Sequence, residues 1–418
     1  MNSPATAWTN RNYRIFWVGQ SSFPIGFQVT QFVLPLMLLH LGAGGAVVGF
    51  LRTANLLPHL LLSVPAGILA DGAHSRRIMV GSDIVRLLTM LTVMTFASLH
   101  VLDLWMLFIA VFVLGSATVF YEISFHPVLL GLISREQIAS GNLGVEVSRA
   151  FATLAGPALA GLVIGFAPIW TALAIDAVVA VVSLATLLLL RAPTLERPVE
   201  PRGESPSLRM ALDGFRQVSS SPLLRSSVYF VASRNLFAGM FTSYVLVFKV
   251  QNLGLSVSVA ATADVIGNVG FLAGALGAGW VGRKIGLGPL LLIGASVNAV
   301  GILLVVNAPA SHTLVFVIGG LFVYSLGVAV INLQNQILRH SITPYEMQGR
   351  VNSFLRLANL GVLSLGAALG GALVGLLDLQ TMLFISAFGA TATTMIIVVT
   401  PLRSVRELPS PEPVWARQ

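Results

Sequence analysis

The chain has 418 residues, of which 56% are hydrophobic and 10% charged, and its mean hydropathy is +0.86. Soluble domains carry roughly 25% charged residues, so a water-soluble globular or disordered protein is excluded and most of the surface is expected to face a bilayer. Cysteine is absent, which removes disulfides, thiolate metal sites and cysteine nucleophiles.

One bilayer crossing takes about 20 mostly apolar residues. In chain order, twelve such stretches are predicted at 15–39, 46–70, 78–99, 104–131, 142–166 and 169–190, then at 227–249, 256–281, 289–307, 314–338, 351–375 and 380–400. The first contains Gln20, Gln28 and Gln31 and has no small-residue cleavage site after a short apolar core, so a retained span is expected. Lys and Arg concentrate in cytoplasmic loops. With the N-terminus inside, Arg11, Arg14, Arg76, Arg77, Arg135, the arginines of 191–225, Arg283, Lys284, Arg339, Arg350, Arg403 and Arg406 all fall on one side. The opposite loops are bare apart from Lys249 at an edge. The net charge of +8 is therefore read as a topology signal: both termini are expected in the cytoplasm and no nucleic-acid partner is expected.

The only long polar stretch, Arg191 to Ser221, carries Pro193, Pro198, Pro201 and Pro206 among alternating charges. It reads as a linker with a short surface helix near Leu208–Val218. The expected division is a six-span half over 1–191, a cytoplasmic linker over 192–222, a second six-span half over 223–402 and a tail over 403–418. A repeat supports it. At a constant offset of 210, Glu136 matches Glu346, Asn142 matches Asn352, Gly156 matches Gly366, Gly161 matches Gly371 and Gly165 matches Gly375.

Ionisable groups inside spans are costly and are candidates for function. In span 4 this is Glu122; in span 5, Glu146 and Arg149 share a face at i, i+3. Two readings of Glu122 stay open: a proton carrier, or half of a permanent ion pair with Arg149. The proton-coupling candidates are Glu122 first, then Asp264 and Glu146; Asp176 on span 6 would be the choice if that span faced a cavity. Arg234 on span 7 and Asp264 on span 8 could pair. The expected cavity lining is Gln28 and Gln31 of span 1, Asn55 of span 2, Tyr121 of span 4 and Arg149 of span 5. From the second half come Arg234, Asn235, Asn268, Asn332, Gln336, Arg356 and Asn359. Such polar stripes either line a wet cavity or bind helices together. No Walker-type or His-Glu-x-x-His pattern occurs, so no ATP drive, metal, cofactor or enzymatic activity is expected.

Between spans 2 and 3 the chain reads Gly67-Ile-Leu-Ala-Asp71-Gly-Ala-His-Ser-Arg76-Arg77, and span 5 reads Gly156-Pro157-Ala-Leu-Ala-Gly161. The first resembles the signature of the major facilitator superfamily, and the second resembles the glycine-proline motif of its antiporter branch. Ser82-Asp83-Ile-Val-Arg86, the Asn-Leu-Gly at Asn142, and Thr343-Pro344 through Gly349-Arg350-Val-Asn352 resemble its macrolide-efflux and enterobactin-exporter group. The resemblance spans about Arg11 to Arg403.

It implies an all-α integral membrane protein of the major facilitator fold, with 12 transmembrane helices in two parallel six-helix halves around a central cavity. Asp71, Arg76 and Arg77 would form a gate. The chain would be a secondary active transporter in a bacterial inner membrane, exporting small amphiphilic compounds by proton antiport as a monomer. Export of an endogenous anionic metabolite such as a siderophore, held by Arg149, Arg234 and Arg356, is a second reading; a non-transporting sensor or scaffold is a third. The signature departs at Gly72, His74 and Ser75. The equivalent second-half loop, Gly282-Arg283-Lys284-Ile-Gly286, lacks an acid, and Ala160 replaces a usual Gly.

Overall fold

A computed structural model describes residues 6–70, 75–134, 137–190, 215–343 and 347–406, apart from the side chains of 45, 46, 64, 67, 68, 70, 138, 139, 340, 348–350, 352, 353, 356 and 357. Twelve long helices account for most of the described residues. They are α1 (Arg11–His40), α2 (Gly45–Ala70), α3 (Ser75–Ser98), α4 (Leu104–Leu132), α5 (Ile138–Ile164) and α6 (Leu173–Leu189). After them come α7 (Pro222–Val247), α8 (Val257–Ile285), α9 (Leu287–Val306), α10 (Thr313–Ile342), α11 (Gln348–Leu376) and α12 (Leu379–Val399). Every predicted span has its helix, with ends displaced by five residues at most. Eleven of the described helical stretches are long and apolar enough to cross a membrane, and Val47–Ser63 of α2 forms a shorter apolar one. In the linker, residues 215–220 are helical; the remainder of the predicted surface helix, 208–214, lies outside the described residues.

The helix starts follow local chemistry. Asn10 accepts from the backbone N–H of Asn12 (2.9 Å) and of Tyr13 (3.3 Å), capping α1. Ser221 caps α7 ahead of Pro222, whose missing N–H costs nothing at the first helical position. Ser256 and Asp378 cap α8 and α12. The break between α8 and α9 needs Gly286, whose φ of 89° is strained for residues with a Cβ.

The chain divides into two compact units, Met1–Ala43 with Ala54–Ser207, and Gly44–Thr53 with Leu208–Gln418. In the first, α1 packs on α5 and α6, and α3 packs on α4 and α6. Its core is aromatic, with Tyr13, Phe16, Phe23, Tyr121 and Phe125 buried together. In the second, α7 packs on α11 and α12, and α9 packs on α10 and α12. These are the same pairings six helices later. The small residues at the repeat offset mark matching contacts. A Cβ on Gly156 of α5 would stand 2.3 Å from the Gln28 Cβ of α1, and one on Gly366 of α11 would stand 2.0 Å from the Leu236 carbonyl oxygen of α7. Such close approach is what small residues provide where lipid gives helices no hydrophobic reason to associate.

Candidate functional site

The first unit contains a buried network of charged and polar side chains. Arg86 on α3 donates through Nη2 to Asp176 Oδ1 on α6 at 2.5 Å, and through Nη1 to Asp83 Oδ1 at 3.4 Å. Thr30 Oγ1 of α1 donates to Asp176 Oδ2 at 2.6 Å, and Ser183 Oγ of α6 donates to Asp83 Oδ2 at 2.6 Å. Tyr121 of α4 lies 3.2 Å from Ser183 Oγ and donates to Gln20 Oε1. The Arg86 guanidinium also sits 4.0 Å above the Phe23 ring, a cation–π contact. Asp83, Arg86 and Asp176 are at most 2% exposed, so the network ties α1, α3, α4 and α6 together away from solvent. Tyr121, expected on the cavity wall, is buried here instead: its ring stacks on Phe23 at 3.9 Å and its hydroxyl is anchored. Asp176 is not a spare carboxylate facing outward but half of this inner ion pair, and Gly26 makes room for it.

Glu122 lies one residue beyond Tyr121 on α4 and is partly exposed. Its side chain is 34% exposed, and its carboxylate stands 3.9 Å from Nε2 of the buried His59 on α2. Arg149, the partner suggested by depth along the spans, reaches Glu146 instead at 3.5 Å, and both are exposed on α5. The i, i+3 spacing brings that pair together within one helix, and Glu146 is thus a matched surface charge. Gln31 donates to Asn55 Oδ1 across α1 and α2 at 2.8 Å, a polar tie between helices. Gln28 lies against Gly156, and Pro157 sits inside α5. Arg76 donates to the carbonyls of Leu187 (2.8 Å) and Leu188 (3.1 Å) at the end of α6, where a cation meets the negative end of the helix dipole; Arg77 is exposed. Gly161 lies within α5. Asp71 and the side of Gly67 lie outside the described residues, as does the Arg356 side chain.

The second unit contains an open cavity of about 310 Å³ between α7, α10 and α11. Arg234, Asn332, Gln336 and Asn359, all predicted from sequence, line it together. Asn235 donates to Asn359 Oδ1 at 3.4 Å, extending the amide cluster. Leu224, Val228, Val231, Ile331 and Leu355 supply apolar wall. Asp264, a candidate partner of Arg234 by sequence, has another: its Oδ1 accepts from Lys249 Nζ at 2.6 Å, and Lys249 is fully buried. Lys249, read from sequence as a loop-edge cation, lies in a π-helical turn over Phe248–Asn252 that continues α7, and its Nζ reaches the Ala260 carbonyl and Asp264 of α8. Asp264 therefore has a matched charge. Asn268 accepts from Ser325 at 3.2 Å and joins α8 to α10 without lining the cavity.

Sequence reasoning missed three things. Arg86 with Asp176 requires contacts across α3 and α6 that no local spacing reveals; the i, i+3 spacing of Asp83 and Arg86 is the one local signal for their own contact. Lys249 was hidden by its position at a span end. Arg339 lines the cavity but reads as a topology cation; its spacing of seven residues from Asn332 places it on the same α10 stripe.

The description of the major facilitator superfamily matches residues 16–359. The chain is 24% identical over 189 residues to macrolide efflux protein A of Streptococcus pyogenes, covering 45% of this chain and 46% of that protein. It is 26% identical over 153 residues to macrolide efflux protein A of Enterococcus faecalis, covering 36% and 47%. The matches thus span about half the length of these curated relatives. Among solved structures, the nucleoside transporter NupG superposes with a TM-score of 0.77 at 14% identity, covering 93% of this chain and 98% of that one. A bacterial homologue of the iron transporter ferroportin, inward-facing, superposes at 0.68 with 16% identity, covering 93% and 98%. These structural likenesses establish the fold. With the family match extending over most of its length and a transporter fold throughout, the chain belongs to the major facilitator superfamily.

Proposed function

We propose that the protein is a secondary active exporter of small amphiphilic compounds, driven by proton antiport in a bacterial inner membrane with both termini in the cytoplasm. The halves 1–191 and 223–402 alternate access as units, with the segment at Asp71 as part of the cytoplasmic gate. The observation that carries the coupling is Glu122, a partly exposed carboxylate within a spanning helix, 3.9 Å from the titratable His59. A span carboxylate is costly unless it serves a pathway or a relay. Glu122 can take a proton where water reaches it, travel as a neutral acid and release it on the other side, while His59 offers a second site for the same proton. Asp264 and Glu146 are weaker carriers because Lys249 and Arg149 already match their charges. Similarity to macrolide efflux proteins and the Gly156-Pro157 motif support export as the direction.

The test is purified protein in sealed liposomes with a pH-sensitive dye inside, challenged with lipophilic dyes and macrolides under a proton gradient. Proton movement that requires cargo and disappears in Glu122→Gln is the expected result. Cargo flux without proton movement would refute the antiport.

A further inference from the structure

We infer that the cavity between α7, α10 and α11 is a binding subsite for the oxyanion of an amphiphilic organic acid, with Arg234 as its principal ligand. This deepens the transport reading and rests on it in one respect, that the occupant is cargo. Arg234 is 6% exposed and lines the cavity, yet its Nε has no hydrogen-bond partner among the described residues. A buried guanidinium presents five donors and cannot lose its charge, and leaving such a group unmatched is among the most expensive arrangements a fold can hold.

Two other buried cations described within spans have their acids. Arg86 has Asp83 and Asp176, and Lys249 has Asp264. Among the described residues Arg234 has none, and neither does Arg339 on the same cavity wall, whose Nε is likewise unpartnered there. Two guanidiniums therefore border one hollow without an acidic residue among its lining. An incoming carboxylate would complete both, because the planar fork of arginine matches the two oxygens of a carboxylate.

The remaining wall selects the rest of the ligand. Asn332, Gln336 and Asn359 offer neutral donors and acceptors, while Val231, Ile331 and Leu355 are apolar. A cavity of about 310 Å³ is at the small end of ligand pockets, which run from about 300 to 1,000 Å³. It suits one charged end with a short apolar body. The subsite would thus favour cargo with an acidic group over neutral or cationic amphiphiles.

The test is calorimetric titration of decanoate into the full chain held in phosphatidylcholine nanodiscs, with empty nanodiscs as reference. Decanamide and decylamine serve as neutral and cationic controls. Saturable decanoate binding, weakened about tenfold or more in Arg234→Gln and in Arg339→Gln and partly rescued in Arg234→Lys, is expected. If Arg234→Gln fails to fold by gel filtration, Arg339→Gln decides. Equal binding of decanoate and decanamide, or unchanged affinity in the folded variants, would overturn the assignment. Nanodiscs containing phosphatidylglycerol distinguish the source of the oxyanion: unchanged decanoate affinity supports a soluble acid, and competition by the lipid assigns the site to a headgroup and overturns the cargo reading. The titration uses no gradient, so failure of proton coupling leaves it standing, and loss of decanoate binding leaves proton-coupled export of neutral cargo standing.

Discussion

Gly156 on α5 meets Gln28 on α1 so closely that a Cβ would lie 2.3 Å from the Gln28 Cβ. The same approach recurs 210 residues later, where Gly366 meets the backbone of Leu236. Gly156→Val and Gly366→Val are expected to destabilise by about 1–3 kcal/mol each through overpacking, because neither the Gln28 Cβ nor the Leu236 carbonyl can move aside without its backbone. Gly81, which has nothing within 4 Å, provides the control: Gly81→Ala is expected to be neutral or slightly stabilising. Thermal melts of the three purified variants check this, and equal melting temperatures for all of them would remove the packing role.

The network around Arg86 predicts an asymmetry. Arg86→Met leaves Asp83 and Asp176 buried without a counter-charge and is expected to cost about 3–5 kcal/mol. Asp176→Asn keeps Arg86 paired with Asp83 and keeps an acceptor for Thr30, so its loss is expected to be smaller. Denaturant titrations of both variants measure the difference; an equal or larger loss in Asp176→Asn would show that the guanidinium does not hold the two acids.

Lys249 and Asp264 form a separable pair. Lys249→Met strands a carboxylate on α8 and is expected to lower stability by about 3 kcal/mol or more. Lys249→Met combined with Asp264→Leu is expected to recover most of that loss, since apolar replacement of a buried pair is often neutral. Retained proton coupling in the double variant would further separate Asp264 from the proton path, whereas its disappearance would return Asp264 to the carriers.

Asp378 caps α12, with Thr381 donating from its backbone N–H (2.9 Å) and from its hydroxyl (2.6 Å). These bonds hold the Asp378 carboxyl below the usual carboxylate range. A depressed folded pKa contributes stability that is present above the unfolded value, about 4, and is lost as pH falls through the folded value. Asp378→Asn keeps the cap but removes the titration, so its melting temperature is expected to fall less between neutral and acid pH than that of the wild type. Parallel curves in the acid range would contradict that.

Much of the architecture was legible in the sequence because each spanning helix must satisfy its own backbone in lipid, which makes spans long, apolar and locally encoded. Gly156 and Gly366, matched at the offset of 210, each stand at a close contact between helices, on Gln28 and on Leu236. The cavity stripe of Arg234, Asn332, Gln336 and Asn359 was legible for a related reason: a polar group on an apolar helix has few uses, so its mere presence points to a wet or paired face.

Charge partners between helices were decided by tertiary structure. Glu122 and Arg149 have compatible depths, yet the first faces His59 and the second turns to Glu146 on its own helix. Arg234 and Asp264 lie on neighbouring spans, yet a π-helical turn delivers Lys249 to the acid and leaves Arg234 unmatched in its cavity. A sequence determines which residues share a helix face, because 3.6 residues per turn is a local rule. Which faces meet depends on the packing and rotation of whole helices, and a turn of a few residues can exchange one ion pair for another.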